Sequence, residues 1–152
     1  MTQDDDYLML EDLLVERIQS EMPDIKLVMT AMDLASVQGA RQIEPAVHVV
    51  YLGDEIGDDN SSQGGNGAAQ VVTQQWMVVL VVKFAGTVAS GKGNRKKAGP
   101  LITKLLRTLS GWQPKGAFRP LRRIRAPKVG YDNGFAYYPY AFKTTLVLKG
   151  ST

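Results

Sequence analysis

One apolar stripe near the start of the chain recurs every three or four residues: Tyr7, Leu10, Leu14 and Ile18. This period predicts an amphipathic helix over about residues 6–21. Asp5 or Asp6 can cap its first turn, and Pro23 ends the pattern. The outward positions of this helix are mostly acidic, which predicts that its polar face is solvated or meets a basic partner.

A second stripe with helical spacing lies in the last third of the chain: Ala98, Leu101, Ile102, Leu105 and Leu109. It predicts a helix between Asn94 and Ser110, with Gly111 as its C-terminal cap. Because proline fits best in the first turn of a helix, Pro100 predicts that the regular helix begins near Gly99.

Five further segments alternate apolar and polar residues or are apolar throughout, which predicts β-strands. These segments are residues 25–30, 46–52, 71–84, 118–125 and 138–148. The third is apolar on both faces from Trp76 to Val82, so we expect it at the centre of a sheet that is covered on both sides. Pro139, near the start of the last strand, favours an edge or a bulge.

The order of these elements predicts one α+β domain over residues 1–152. We expect a four- to five-stranded, largely antiparallel sheet with two helices packed on it. Two stretches, near 53–70 and 86–99, hold too little apolar surface to pack and are predicted to be mobile loops. The sheet face opposite the helices needs a cover, for which a neighbouring subunit is the economical candidate.

Acidic and basic residues are sorted into different halves of the chain. Residues 1–60 hold 14 Asp and Glu against 3 Lys and Arg, a net charge of −11. Residues 61–152 hold 15 Lys and Arg against 1 acid, a net charge of +14. Such a bipolar subunit can attract its own copies head to tail, and contacts of this kind close into rings or extend as filaments. The alternative is an acidic helix and a basic loop that are merely solvated.

Three charged clusters are the candidate contact residues. They are the acidic Asp54, Glu55, Asp58 and Asp59; the basic Lys92, Arg95, Lys96 and Lys97; and the basic Arg119, Arg122, Arg123 and Arg125. Strand parity splits the last cluster, because Arg122 points away from the other three. Basic residues near aromatics can also bind nucleic acid, although the chain has no recognised nucleic-acid fold signature.

Catalytic and metal-binding constellations are missing from the sequence. The stretch 86–93 has the outline of a phosphate loop, but Gly93 stands where a Mg²⁺-ligating Ser or Thr belongs. His48 is the only histidine, and without any cysteine it cannot anchor a typical zinc site. We therefore predict no enzymatic activity, no nucleotide hydrolysis, no metal and no cofactor.

Membrane segments are not predicted either. The N-terminus is acidic and lacks the basic start and apolar stretch of a signal peptide. The longest apolar run, Trp76–Val82, is far shorter than the ~20 residues that span a bilayer. The absence of cysteine fits a reducing cytoplasm.

Several segments follow one another in a characteristic order. An acidic N-terminal helix and strands that end in a long basic loop precede the helix Pro100–Leu109, which runs directly into Ser110–Pro114. Phe118–Leu121 and the aromatic last strand Tyr137–Phe142 come after them. In this order, and over most of its length, the chain resembles the tail terminator (tail completion) proteins of long-tailed bacteriophages.

The resemblance implies a structural virion protein. It implies a hexameric ring that caps the last ring of the tail tube, halts its polymerisation and presents the surface to which the head joins. Implied partners are other copies of the chain, the tail tube protein, neck or head-completion proteins and, in contractile tails, the sheath. Genomic DNA would pass through the ring without specific binding. The implied location is the tail or neck of the virion, after assembly in the host cytoplasm. A different neck or head-completion protein is one alternative, and a small basic nucleic-acid-binding module is the other.

Overall fold

The computed structural model describes residues 6–39, 43–56, 69–83, 92–116 and 118–150, without the side chains of residues 92–94. These residues form three helices: α1 (Leu10–Glu21), α2 (Leu34–Gly39) and α3 (Lys92–Leu109). They also form one sheet whose strands are β1 (Leu27–Ala31), β2 (Ala46–Ile56), β3 (Ala69–Lys83), β4 (Arg122–Ile124), β5 (Gly130–Asp132) and β6 (Phe135–Lys149).

The sheet is built around its two longest strands. Its order is β1-β2-β3-β6-β4, with β5 pairing with another part of β6. Only β1 and β2 run parallel, and the other pairs are antiparallel. β3 lies between β2 and β6, in register with β6 from Ala69↔Lys149 to Lys83↔Phe135. The α+β class, the largely antiparallel sheet and the central third strand are therefore confirmed.

Two short elements were not expected from the sequence. Strand β5 exists because the chain turns back on itself at Asn133 and Gly134, whose φ angles of 49° and 81° are both left-handed. Helix α2 has few apolar residues, but its Val37 is fully buried against the sheet. With β5 the sheet has six strands in place of four or five, and with α2 the described residues hold three helices in place of two.

Helix α3 begins at Lys92, so the predicted start near Gly99 is wrong. Tertiary contacts explain the earlier start: Ala98 is fully buried, and Lys97 Nζ lies 2.6 Å from Glu44 Oε2. Pro100 lies inside the helix on its exposed side, where its missing N–H costs a single helical hydrogen bond.

Parts of the two predicted mobile loops belong to strands or to a helix. Residues 53–56 belong to β2, residues 69–70 belong to β3, and residues 92–99 belong to α3. Antiparallel pairing between β2 and β3 continues to Ile56↔Val72, which gives these backbone groups partners within the sheet. The rest of both predicted loops lies outside the described residues.

One face of the sheet carries α1 and α3. Leu10, Leu14 and Ile18 of α1 and Leu105 and Leu109 of α3 are buried in a single core with the sheet. Their spacing of three or four residues is the period that predicted both helices. This core also contains the largest fully buried side chain, Trp76 of β3.

Part of the opposite face of the sheet is covered by the same chain, where the sequence suggested a neighbouring subunit as the cover. Val37 of α2 packs there in a second core with Met77, Val79, Val81 and Tyr137. Each of these side chains is at most 2% exposed. Any contact with another subunit therefore uses the edges and the polar surface of the described fold, not this apolar centre.

Pro139 lies in the long strand β6, opposite Val79 of β3. On the other side of β6, pairing with β5 ends at Tyr137 and pairing with β4 begins at Ala141. Residue 139 thus falls in the gap between two short strands, where a missing N–H breaks no ladder bond on that side.

His48 lies in β2, between Met29 of β1 and Val79 of β3. It is 1% exposed, and its Nε2 has no hydrogen-bond partner among the described residues. Burial lowers the pKa of this imidazole, because the charged form loses its hydration. The unfolded chain therefore binds a proton at a higher pH than the folded chain does.

We expect the stability of the chain to fall as the pH drops below about 6.5, the ordinary pKa of histidine, and to be unaffected by this group above it. The loss attributable to His48 should reach up to about 1.4 kcal/mol per pH unit. Denaturant titrations of the wild type and of His48→Leu at several pH values would measure it, since acidic groups contribute equally to both. Parallel pH profiles of the two proteins would contradict this prediction.

Candidate assembly surface

The outward face of α1 is acidic. The helix packs over β1 and β2, at one side of the sheet. Asp12 and Glu16 are exposed, and Glu11 beside them is half-buried. None of these three carboxylates forms an ion pair with a described residue. Asp12 and Glu16 are four residues apart on one helix, where like charges repel each other by a few tenths of a kcal/mol, roughly.

Asp54 holds the N-terminal segment on the sheet. A register shift between Tyr51 and Gly53, where the φ of Gly53 is 110°, changes the direction of the following residues. Asp54 Oδ2 then accepts a 2.6 Å hydrogen bond from the Tyr7 hydroxyl. Burial, and next the carboxylate of Asp54, raise the pKa of Tyr7. The structure thus gives Asp54 a partner within its own chain.

The other members of the acidic cluster differ from Asp54. Glu55 is exposed in β2, not in a loop as predicted, and Asp58 and Asp59 lie outside the described residues. A role for these three residues in partner contacts stays a prediction.

The first basic cluster is spread along the start of α3. Lys97 pairs with Glu44, whereas Arg95 and Lys96 are exposed, and the side chain of Lys92 is outside the description. Burial would raise the pKa of Glu44, but hydrogen bonds from Lys97 and from the Lys83 amide outweigh it and hold that pKa below its ordinary value. At least one lysine of this cluster therefore stabilises the subunit itself.

The second basic cluster lies on and around β4, and its residues point in different directions. Arg123 places its guanidinium 5.0 Å from the centre of the Tyr140 ring. Arg122 is the neighbouring residue in the same strand, so its side chain points to the opposite face, as strand parity predicted. Strand parity was wrong for Arg119, which precedes β4 and lines the same cleft as Arg122. Arg119 and Arg125 flank β4 and are exposed.

The structure adds a lysine to this cluster that the sequence did not single out. Lys143 of β6 is directly opposite Arg122 in the antiparallel register. Like charges opposite each other in a sheet are destabilising. Lys143 has the uncharged neighbours Phe142 and Thr144 in the sequence. Only the register between β4 and β6 could therefore have identified it as a member of the basic cluster.

Arg119, Arg122 and Lys143 line one cleft of about 380 Å³. We call it the basic cleft. Its other lining residues are neutral: Thr73, Pro120, Thr144 and Thr145. Arg119 is held beside β6 by two hydrogen bonds: its N–H donates to the Thr145 carbonyl at 2.9 Å, and its carbonyl accepts from the Thr144 hydroxyl at 2.6 Å. The cleft is therefore positive, and the hydroxyls of Thr73 and Thr145, which have no hydrogen-bond partner among the described residues, can donate to an anion.

The acidic face of α1 and the basic cleft lie on different faces of the sheet. α1 packs above β1 and β2, whereas Arg122 and Lys143 point to the other face, where the cleft is lined by residues of β3 and β6 and by residues in and before β4. The charges are not fully separated, since Glu55 is directly opposite Thr73 of the cleft and Glu16 lines a second cleft with Lys115. Among the described residues no group of three or more His, Cys, Asp or Glu side chains could hold a metal ion. No described helix is long and apolar enough to cross a membrane. Fold and charge together define a small α+β subunit with complementary flanks.

A family model of phage tail terminator proteins matches residues 4–152. The chain belongs to the phage tail terminator protein family, which confirms the resemblance seen in the sequence and makes it a structural protein of a phage-type tail. No curated protein matches it in sequence. Among solved structures it is similar to a chain of the virion of a native gene transfer agent particle, with 12% identity and a TM-score of 0.47. That alignment covers 89% of this chain and 84% of the other.

Proposed function

We propose that this chain forms a ring that caps the end of the tail tube, stops tube polymerisation and provides the surface to which the head joins. The observation that carries the proposal is the family match over nearly the whole chain. The separation of charge across the sheet supports it, because flanks of opposite sign suit the head-to-tail contacts that close into rings.

The proposed ring is a homohexamer. Each subunit binds one neighbour through its acidic surface and the other through its basic surface. A closed ring therefore leaves neither surface without a partner. A ring that matches the last ring of the tube on one side only would end the growth of the tube, since the next tube subunit would find no complementary surface. The ring acts by binding and without catalysis or a cofactor. Its neighbours are the tube protein, neck or head-completion proteins and, in a contractile tail, the sheath, while DNA passes through it without specific contacts.

Tail length is the property that tests this function. Particles assembled without the protein should carry tails of variable and excessive length that are not joined to heads. Added to polymerising tube protein, the purified chain should shorten the tubes as its ratio to tube protein rises. Electron micrographs measure the length distribution in both cases, with heat-unfolded protein as the control.

Two results would contradict the proposal. Tubes of unchanged length with no protein at their ends would exclude capping. Tails of normal length that fail to join heads would instead support the alternative of a neck or head-completion protein. Native mass spectrometry gives the stoichiometry, and six subunit masses are expected.

A further inference from the structure

The acidic face of α1 and the basic cleft each contain two side chains of the same charge that lie close together. Asp12 and Glu16 lie one turn apart on the exposed side of α1, and Arg122 and Lys143 lie opposite each other across two strands. Neither pair has an ion-pair partner among the described residues. Each arrangement is locally unfavourable, and each would be relieved by a partner of opposite charge.

The two pairs match in spacing. Residues four apart on a helix have Cβ atoms about 5–6 Å apart, and residues opposite each other in an antiparallel pair have Cβ atoms about 4.5–5.5 Å apart. Two carboxylates on α1 can therefore each meet one cation on the β4–β6 pair. Arg119 extends the basic cleft beyond this pair, as Glu11 extends the acidic face of α1.

The two pairs do not meet within one subunit. α1 packs against β1 and β2 on one face of the sheet, whereas Arg122 of β4 and Lys143 of β6 point to the other face. A head-to-tail contact, however, joins two different surfaces of neighbouring subunits, so α1 of one subunit can face the β4–β6 pair of the next. Successive subunits of a ring are rotated relative to each other. The sheet face that carries α1 in one subunit can therefore approach the other sheet face, which holds Arg122 and Lys143, in its neighbour.

We propose that the basic cleft binds the acidic face of α1 of a second copy of this chain. Asp12 and Glu16 meet Arg122 and Lys143, with Glu11 near Arg119. Charge-assisted hydrogen bonds from the guanidinium groups hold the carboxylates, and the hydroxyls of Thr73 and Thr145 can donate as well. This contact rests on the proposed ring and names the surfaces that join its subunits.

The complementary charges of the same chain favour a second copy over nucleic acid as the occupant. The acidic half of the sequence carries −11 and the basic half +14, so the chain holds charges of both signs in comparable amounts. Asp54, the other acid that the sequence singled out, already accepts the Tyr7 hydroxyl. No carboxylate of the acidic face of α1 has an ion pair of this chain among the described residues.

Charge exchange between the two surfaces tests the pairing. Asp12→Lys/Glu16→Lys makes both surfaces basic, and Arg122→Glu/Lys143→Glu makes both acidic. Each variant alone should associate roughly 10- to 100-fold more weakly than the wild type, or not at all. An equimolar mixture should assemble again, with the two variants alternating around the ring. A chain with all four changes should assemble by itself, with the polarity of the contact reversed.

A matched control has the same change of net charge at another place. Lys104→Glu/Arg107→Glu alters two exposed cations of α3 that line neither surface, and it should assemble as the wild type does. Circular dichroism checks that every variant is folded. Native mass spectrometry and light scattering report the assembly, at low and high salt, because a contact of this kind weakens as salt screens it.

The outcomes separate the contact from the ring. If the two charge variants assemble like the wild type, or if neither the mixture nor the fourfold variant is restored, the pairing is wrong, and the proposed ring is unaffected. If the wild type itself never forms a ring, even with tube protein, the proposed function is wrong, and the contact that rests on it is wrong as well. If Arg122→Glu/Lys143→Glu assembles normally but loses affinity for a DNA duplex, the cleft binds phosphates and the pairing is overturned.

Discussion

Replacing Trp76 with alanine is expected to lower the free energy of unfolding by about 3–5 kcal/mol. The side chain is 1% exposed in the core between the helices and β3, and its ring centre lies 4.8 Å from that of Tyr51. Its Nε1–H also donates to Gln74 Oε1, whose side chain is completely buried. Alanine would leave a cavity and a buried acceptor without its donor. The melting temperature should fall by roughly 6–20 °C.

Trp76→Phe is the matched control for the hydrogen bond. It retains an aromatic ring but removes the Nε1–H, so we expect a smaller loss of about 1–3 kcal/mol. Gln74 would still donate to the Tyr7 carbonyl at 2.7 Å, which keeps the N-terminal segment attached to the sheet. Thermal and denaturant unfolding of both variants measure the difference. A loss below about 1 kcal/mol for Trp76→Ala would show that this core repacks easily, against the prediction.

The long elements of this fold could be predicted because their patterns are strong. The apolar run of β3 on both faces marks a central strand, and the structure places it from Ala69 to Lys83, within two residues of the predicted bounds. The stripe Leu10, Leu14 and Ile18 likewise marks α1. In both, local pattern and tertiary burial favour the same structure.

The two short elements were missed for different reasons. Helix α2 has one fully buried residue, Val37, which is too little for a periodic signal. The signal for β5 was present: Asn133–Gly134 is a strong hairpin turn sequence, and the two strands that it joins are adjacent in the sheet. The start of α3 was misplaced because Pro100 suggested a helix terminus, whereas Ala98 and Lys97 fix the preceding turns by contacts with the rest of the chain.

The charged residues of the candidate site could be predicted from the sequence, but their positions relative to one another could not. The sequence identified Arg119, Arg122 and Arg123 as a basic cluster and split it by parity. It could not show that Arg123 stacks on Tyr140 while Arg122 joins Lys143, because both partners are set by the register of β6. In the same way, the sequence placed Asp54 among free acids, although a register shift turns it toward Tyr7.

Trp112 follows the last turn of α3 and is half-buried against the helix–sheet core. The sequence alone leaves Trp112 two roles, in the core of its own subunit or at an interface, and the size of the indole favours the core. In the structure the Arg17 guanidinium lies 5.4 Å from the ring centre, and Arg17 Nε also donates to the Thr108 carbonyl. The indole thus joins α1 to the end of α3 within one subunit, which favours the core role.

Trp112→Ala is therefore expected to cost about 2–3 kcal/mol, less than the fully buried Trp76, through lost packing and the lost cation–π contact. The backbone bonds of residue 112, to Leu109 and Leu121, do not need the side chain and should persist. Trp112→Phe keeps an aromatic face for Arg17 and should cost about 1 kcal/mol. Unfolding should be measured at a protein concentration at which the subunits are separate, since association would add its own stability. A Trp112→Ala subunit with normal stability that fails to assemble would instead assign the indole to a contact between subunits.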